Sequence, residues 1–343
     1  MPNSTNSRED VLALLRGERL HRVPCFSGLI SVTADGLADL GYAFSDVHHD
    51  PSKLAAAAAS TPRLTGFESA VLPLDLCVEA EVLGAGVDFR AQAARPEYPI
   101  VNGPVAHSIA DLRLNVPADL SHAGRVPIVL AALRELKDQI GATTAIGAMI
   151  PGPFTLLTWI MPPGSVYTEL MHPPANLVAV LNALTELLIE VAALYRAAGA
   201  DFITVHEMGG SPGVVGPKRF EQWVQPALKG LFSRLNGPCV LSACGRTTGT
   251  IGLLAQTGAP ALSVDQLNAV AKSRAVLAEK VLLFGNIDPV RVLADGDEAL
   301  IARAAAEAIG AGVDAVWPGC DLWPLTPIAN VRALVNAARQ SRD

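Results

Sequence analysis

PCVLSACGRTTGT, from Pro238 to Thr250, is the stretch on which the fold reading turns. A short apolar run, Cys239-Val240-Leu241, ends in the small residues Ser242, Ala243, Cys244 and Gly245. Thr247 and Thr248 then open an amphipathic segment from Ile251 to Gln256. Apolar strand, small-residue turn and helix start make a βα junction, which places Cys244 at the C-terminal mouth of a strand. The same setting returns at Ala315-Val316-Trp317-Pro318-Gly319-Cys320-Asp321. Two thiols on two strand mouths of one sheet can converge on one metal or one substrate.

Outward from this junction the alternation repeats. A short strand is expected over 23–26, ending at Ser27-Gly28. Another, SAVLPLDL over 69–76, delivers Asp75, with Glu79 and Glu81 just beyond. Further strands are expected over 145–150, 202–206, 261–264, 281–284 and 315–316. Helical patterns cover 53–65, 177–198, 217–235, 268–279, a stretch through about 309, and 328–338, after a capped first helix that follows Ser7-Arg8-Glu9-Asp10. From 88 to 125 the pattern weakens around Pro96, Pro99, Pro104 and Pro117. That stretch is too short for its own core and reads as an excursion or lid on a single domain spanning 1–343. Eight strands counted from Val23, nearly all separated by helices, point to a closed α/β architecture, the (β/α)8 TIM barrel. A doubly wound open sheet is the alternative, but no G-x-G-x-x-G follows the first strand.

Composition narrows the function classes. Half of the 343 residues are hydrophobic and 17% are charged, enough apolar material for a large interior. A net charge of −7 argues against nucleic acid and anionic membrane surfaces as partners. No apolar run is expected to reach the ~18 residues a membrane span needs. The polar opening MPNSTNSRED has no apolar signal core. Five cysteines without paired spacing fit a reducing cytoplasm.

If the barrel holds, chemistry sits at the strand mouths, which carry Asp75, His206-Glu207, Ser242 to Cys244, Asp265-Gln266, Asn286 to Asp288 and Cys320-Asp321. Structural roles compete at several of these. Asp288 before Pro289 suits a helix N-cap, and Asp265 suits loop amides. Cys25, Cys77 and Cys239 read as small buried hydrophobes. Two thiolates with a nitrogen or oxygen ligand would suit Zn²⁺, and His206 and Glu207 are the candidates to complete the set. Glu207 could equally act as a base.

These residues resemble a known family. Gly152-Pro153-Phe154-Thr155, Gly199-Ala200-Asp201, Gly216-Pro217-Lys218-Arg219-Phe220, Cys244-Gly245-Arg246-Thr247-Thr248, Gly285-Asn286-Ile287-Asp288-Pro289 and Pro318-Gly319-Cys320 are similar to motifs of the uroporphyrinogen decarboxylase superfamily. Asp75 and Val78-Glu79-Ala80-Glu81-Val82-Leu83-Gly84 resemble its corrinoid-dependent branch, the methylcobamide:acceptor methyltransferases. The resemblance implies methyl transfer between a corrinoid (cobalamin) protein and a small acceptor, a thiol or a tetrahydrofolate-like pterin. It also implies a zinc held by a His-x-Cys pair and a distant Cys. Cys244 and Cys320 match the two cysteines, but the histidine falls on Ser242, leaving Glu207, His206 or Glu79 to replace it. On this reading Glu207 and Asp75 are catalytic, Cys244, Cys320 and Glu207 hold metal, and Glu79, His206, Asp265, Asn286 and Asp288 bind substrate. No D-x-H-x-x-G run is present, so the cobamide is expected on a separate small corrinoid protein; a homodimer is left open. The arginine-rich loop of true decarboxylases is replaced by HRVPCFSGLIS over 21–31, which argues against a polyanionic porphyrinogen. A lyase acting on a smaller acid and a non-catalytic corrinoid- or ligand-binding relative are the alternatives.

Overall fold

The computed structural model describes residues 6–340, so the first five residues of the polar opening lie outside the described residues. Strand β1 covers Ser69–Leu72, and an antiparallel pair follows, β2 (Gly86–Asp88) with β3 (Ile100–Gly103). Then come β4 (Ala145–Pro151), β5 (Phe202–Glu207), β6 (Cys239–Ala243), β7 (Ala261–Val264), β8 (Leu282–Ile287) and β9 (Ala315–Pro318). Strands β1 and β4 to β9 form one curled, all-parallel sheet in chain order. Every residue of β1, β4, β5, β6, β7 and β9 is buried, as expected of parallel strands covered on both faces.

The expected first strand closes this sheet. The Val316 amide donates to Pro24 O at 2.9 Å, and the Phe26 amide to Val316 O at 3.3 Å. On the other side the Glu68 amide donates to Cys25 O at 3.1 Å. Ser69 extends the contact through its hydroxyl, which accepts from Ser27 N at 2.9 Å and donates to Ser27 O at 2.7 Å. Residues 24–27 thus bridge β9 to β1 and complete the (β/α)8 barrel.

Inside, Phe26, Phe202, Phe284 and Trp317 meet with ring centroids 5.0 to 6.0 Å apart. All four are fully buried, and burial of each contributes roughly 1.5–3 kcal/mol. Phe202 opens β5, so this apolar plug fills the barrel below the mouth. Gly28 allows the close approach beside it, because a Cβ there would lie 1.9 Å from Thr204 Oγ1. Residues paired in a parallel register share a face, and His206 pairs with Ser242, which pairs with Ser263. Above the aromatic layer the interior is therefore lined by polar or small side chains.

Several expected elements differ. β1 stops at Leu72 because Pro73 cannot donate to a ladder, so Asp75 sits in the following bend rather than on the strand. The helix expected over 217–235 is split into Pro217–Arg219, a π-helical turn Phe220–Val224, and Gln225–Phe232. Pro226 lacks the amide that an unbroken helix would use there. The helix expected over 268–279 spans only Val270–Val276. The helix Leu177–Ala197 has the length and apolarity of a membrane span, contrary to the expectation that no run reaches that length. Half of it is buried, and it packs as a core helix beside β4 and β5. The weakly patterned 88–125 stretch overlaps the β2–β3 pair and ends at Arg125, which begins the helix Val126–Ile140.

Candidate metal centre

Side-chain alternation along β5 decides which of two adjacent candidates reaches the interior. Phe202 faces inward, so His206 does too, while Glu207 faces the surrounding helices. Cys244 follows the last residue of β6, and Cys320 lies two residues past β9. Their sulfurs are 3.9 Å apart, and His206 Nε2 is 4.0 Å from Cys244 Sγ. One donor atom from each of the three residues lies within 4.8 Å of the others. Tetrahedral Zn²⁺ with Zn–S bonds of about 2.3 Å holds its sulfurs about 3.8 Å apart, so the sulfur pair matches such an ion, while the imidazole nitrogen at 4.0 Å would draw in by a few tenths of an ångström. His206 is fully buried and its Nδ1 meets no partner among the described residues, whereas both thiols are partly exposed toward the mouth.

The three groups condition one another. The hydrogen bond from Cys244 holds the Cys320 thiol well below its usual range, and His206 adds to the effect. The same contact, with burial, pushes Cys244 well above it. Burial disfavours the His206 cation, but Cys320 and Asp321 outweigh this and raise its pKa. Asp321 is pushed up to about 7 by burial and the neighbouring Cys320, while one of its oxygens accepts from the Ile30 amide at 2.8 Å. Soft sulfur donors beside a buried imidazole favour zinc over a hard cation.

The loops around the centre are tied together by amides. Asp265 accepts from the Gly245 amide at 2.5 Å and the Leu267 amide at 2.9 Å, fixing the turn that follows Cys244. Asn268 accepts from Thr247 N at 2.7 Å and donates to Gly245 O at 2.9 Å, sewing the β6 loop to the β7 loop. Asn286 donates to Asn268 O at 2.9 Å. Ser211 Oγ donates to Cys244 O at 2.5 Å. Sequence reasoning singled out Asp265 and Asn286 but missed Asn268, whose polar side chain at an expected helix start looks like an ordinary cap.

The other expected site residues lie apart from the three donors. Glu207 accepts from Thr155 Oγ1 at 2.5 Å, Gly210 N at 2.8 Å and Phe154 N at 3.2 Å. A Cβ on Gly152 would sit 2.1 Å from Glu207 Oε2, so Gly152 makes room for this buried carboxylate. Asp75 forms a two-pronged ion pair with Arg125 at 2.9 and 3.0 Å, and His48 Nδ1 lies 2.9 Å away. Although burial opposes it, Arg125 holds this carboxyl far below the usual range. Glu79 is fully buried, accepts from Tyr195 Oη at 3.2 Å, and burial pushes it up to about 8. Asp288 caps the turn Pro289–Ala294 by accepting from Val290 N and Arg291 N, both at 2.9 Å. Arg22, the arginine of the 21–31 segment, pairs with Asp10 at 2.6 Å and Glu68 at 2.7 Å. Cys25, Cys77 and Cys239 are buried.

Comparison with known proteins agrees with this architecture. The family model of uroporphyrinogen decarboxylase (URO-D) matches residues 6–341. The methylcobamide:CoM methyltransferase MtaA of Methanosarcina barkeri is 29% identical over 332 residues, covering 95% of this chain and 96% of that protein. A uroporphyrinogen decarboxylase of Myxococcus xanthus is 24% identical over 266 residues, covering 75% of this chain and 73% of that protein. Among solved structures, a methyltransferase from Methanosarcina mazei superposes with a TM-score of 0.91 at 28% identity, covering 98% of each chain. By its barrel and by this match over nearly its whole length, the chain belongs to the uroporphyrinogen decarboxylase (URO-D) family.

Proposed function

We propose that this protein is a corrinoid-dependent methyltransferase, moving a methyl group between a corrinoid carried by a separate small protein and a thiol acceptor, with zinc held by His206, Cys244 and Cys320. The observation that carries the reading is the meeting of two thiols and an imidazole at the mouth of the barrel. Its similarity to methylcobamide:CoM methyltransferases supports the same reading. Bound zinc supplies a Lewis acid that keeps an acceptor thiol ionised near neutral pH.

The chain's own residues provide the rest. His206 supplies nitrogen from β5, and its register partner Ser242 leaves room for the imidazole. Cys244 and Cys320 are partly exposed, so a zinc held by them and His206 would be within reach of an acceptor thiol. Asp265 and Asn268 hold the Cys244 turn, so its sulfur cannot swing away when the acceptor arrives. The acceptor thiolate attacks the methyl carbon in line. A carbon–sulfur bond would form as the bond between the methyl carbon and the corrinoid breaks, its electron pair leaving with the corrinoid and the thiol proton passing to solvent. Glu207 and Asp75 shape the frame of the site rather than take part in the step. Porphyrinogen decarboxylation is disfavoured, because Arg22 is consumed by Asp10 and Glu68 and offers no clamp for carboxylates. Unpaired cysteines fit a cytoplasmic setting.

The direct test is demethylation of methylcobalamin by the purified protein with thiols or tetrahydrofolate as acceptor, alongside zinc analysis. Thiol-dependent demethylation with one zinc per chain, both lost in C244S/C320S, is expected. Demethylation by metal-free protein would remove the mechanism.

A further inference from the structure

A cleft of about 540 Å³ opens beside the β4 and β5 mouths, on the scale of a small-molecule site. Its walls come from β3, the helices Pro153–Ile160 and Pro163–Glu169 with the link between them, and the loop after β5. Trp159, Met161, Tyr167 and Met208 give it flat and polarizable apolar surfaces, and among the described residues no charged side chain lines it. Tyr167 Oη already donates to Gly209 O at 3.1 Å, and Thr158 Oγ1 to Thr155 O at 2.7 Å, so neither hydroxyl proton is free for an anion. Met208 is the second residue after His206, so their Cα atoms are at most roughly 7 Å apart.

Resting on the thiol-transfer reading, we propose that this cleft holds the organic body of the methyl acceptor, and that this body is uncharged and ring-bearing. An anionic tail placed there would lose its hydration without meeting a cation. The exposed Arg246, two residues beyond Cys244, is the cation on the β6 side that an anionic acceptor would use instead.

The test is calorimetric titration of the full chain, its zinc content measured first, with benzyl mercaptan, 2-mercaptoethanesulfonate and the thiol-free analogue benzyl alcohol. Benzyl mercaptan should bind more tightly than the sulfonate. Trp159→Ala should weaken it about tenfold or more, Trp159→Phe should restore most of the loss, and zinc content should stay unchanged. Benzyl alcohol that binds, weakens with Trp159→Ala, and gains nothing from a thiol would uphold the cleft while sinking the zinc-thiol reading. Tighter binding of the sulfonate, sensitive to Arg246→Ala and indifferent to Trp159→Ala, would overturn the proposal, as would no binding of either aromatic probe.

Discussion

The bend after β1 and the mouths of β5, β6 and β9 both gather titratable side chains, and they dispose of them in opposite ways. At the β1 bend, Asp75 is gripped by Arg125, which also donates to Glu81 at 2.6 Å, while the Phe89 ring centroid lies 4.8 Å from the guanidinium. The charges of Asp75, Glu81 and Arg125 are paired off among themselves. At the other mouths, Cys244 and Cys320 have mainly one another and His206, whose Nδ1 has no hydrogen-bond partner among the described residues. A carboxylate at a barrel mouth is therefore weak grounds for chemistry until its partners are counted. The closed cluster holds structure, and the open one has donors left to give.

The two clusters should separate under mutation. The largest effect is expected from His206→Ala or Cys320→Ser, each of which should cut zinc affinity by more than about a hundredfold, since ligand loss exceeds the cost of disturbing a supporting group. Competition with a chromophoric chelator measures this, and thermal melts check that the fold persists. Asp75→Asn leaves the buried Arg125 with Glu81 as its remaining carboxylate partner, so a loss of up to about 3 kcal/mol in denaturant unfolding is expected, with zinc content retained. Zinc lost in step with that destabilisation would merge the two regions into one.

Glu79 gives the most pH-dependent effect. Its carboxyl rises from an ordinary 4.5 to about 8 in the fold, so its favourable neutral form contributes fully below 4.5. That contribution is lost as pH climbs through about 8. Glu79→Gln should remove the loss, so the variant's melting temperature relative to the parent should rise between pH 5 and pH 8. A difference that stays flat across that window would show that Glu79 ionises normally.

Much of this was legible in the sequence because parallel strands buried on both faces appear as short apolar runs ending in small residues. Even the stretch 23–26, with no ladder beyond a single bridge at Cys25, stood out as a strand. The meeting of two thiols 76 positions apart followed from placing both at strand mouths. The choice between His206 and Glu207 was harder, because it depends on which face of β5 looks inward, and a strand buried on both sides hides its parity. Asp75 looked catalytic because its partner Arg125 stands 50 positions away at the end of an irregular stretch. The departure at Ser242 becomes intelligible only in three dimensions, where His206 is its neighbour in the next strand.

X-ray absorption at the zinc edge of the purified protein tests the central claim most directly. The account predicts one zinc per chain with two sulfur scatterers near 2.3 Å and imidazole nitrogen at about 2.0–2.1 Å, the nitrogen signal vanishing in His206→Ala. A site with only light-atom ligands, or with one sulfur, would contradict it.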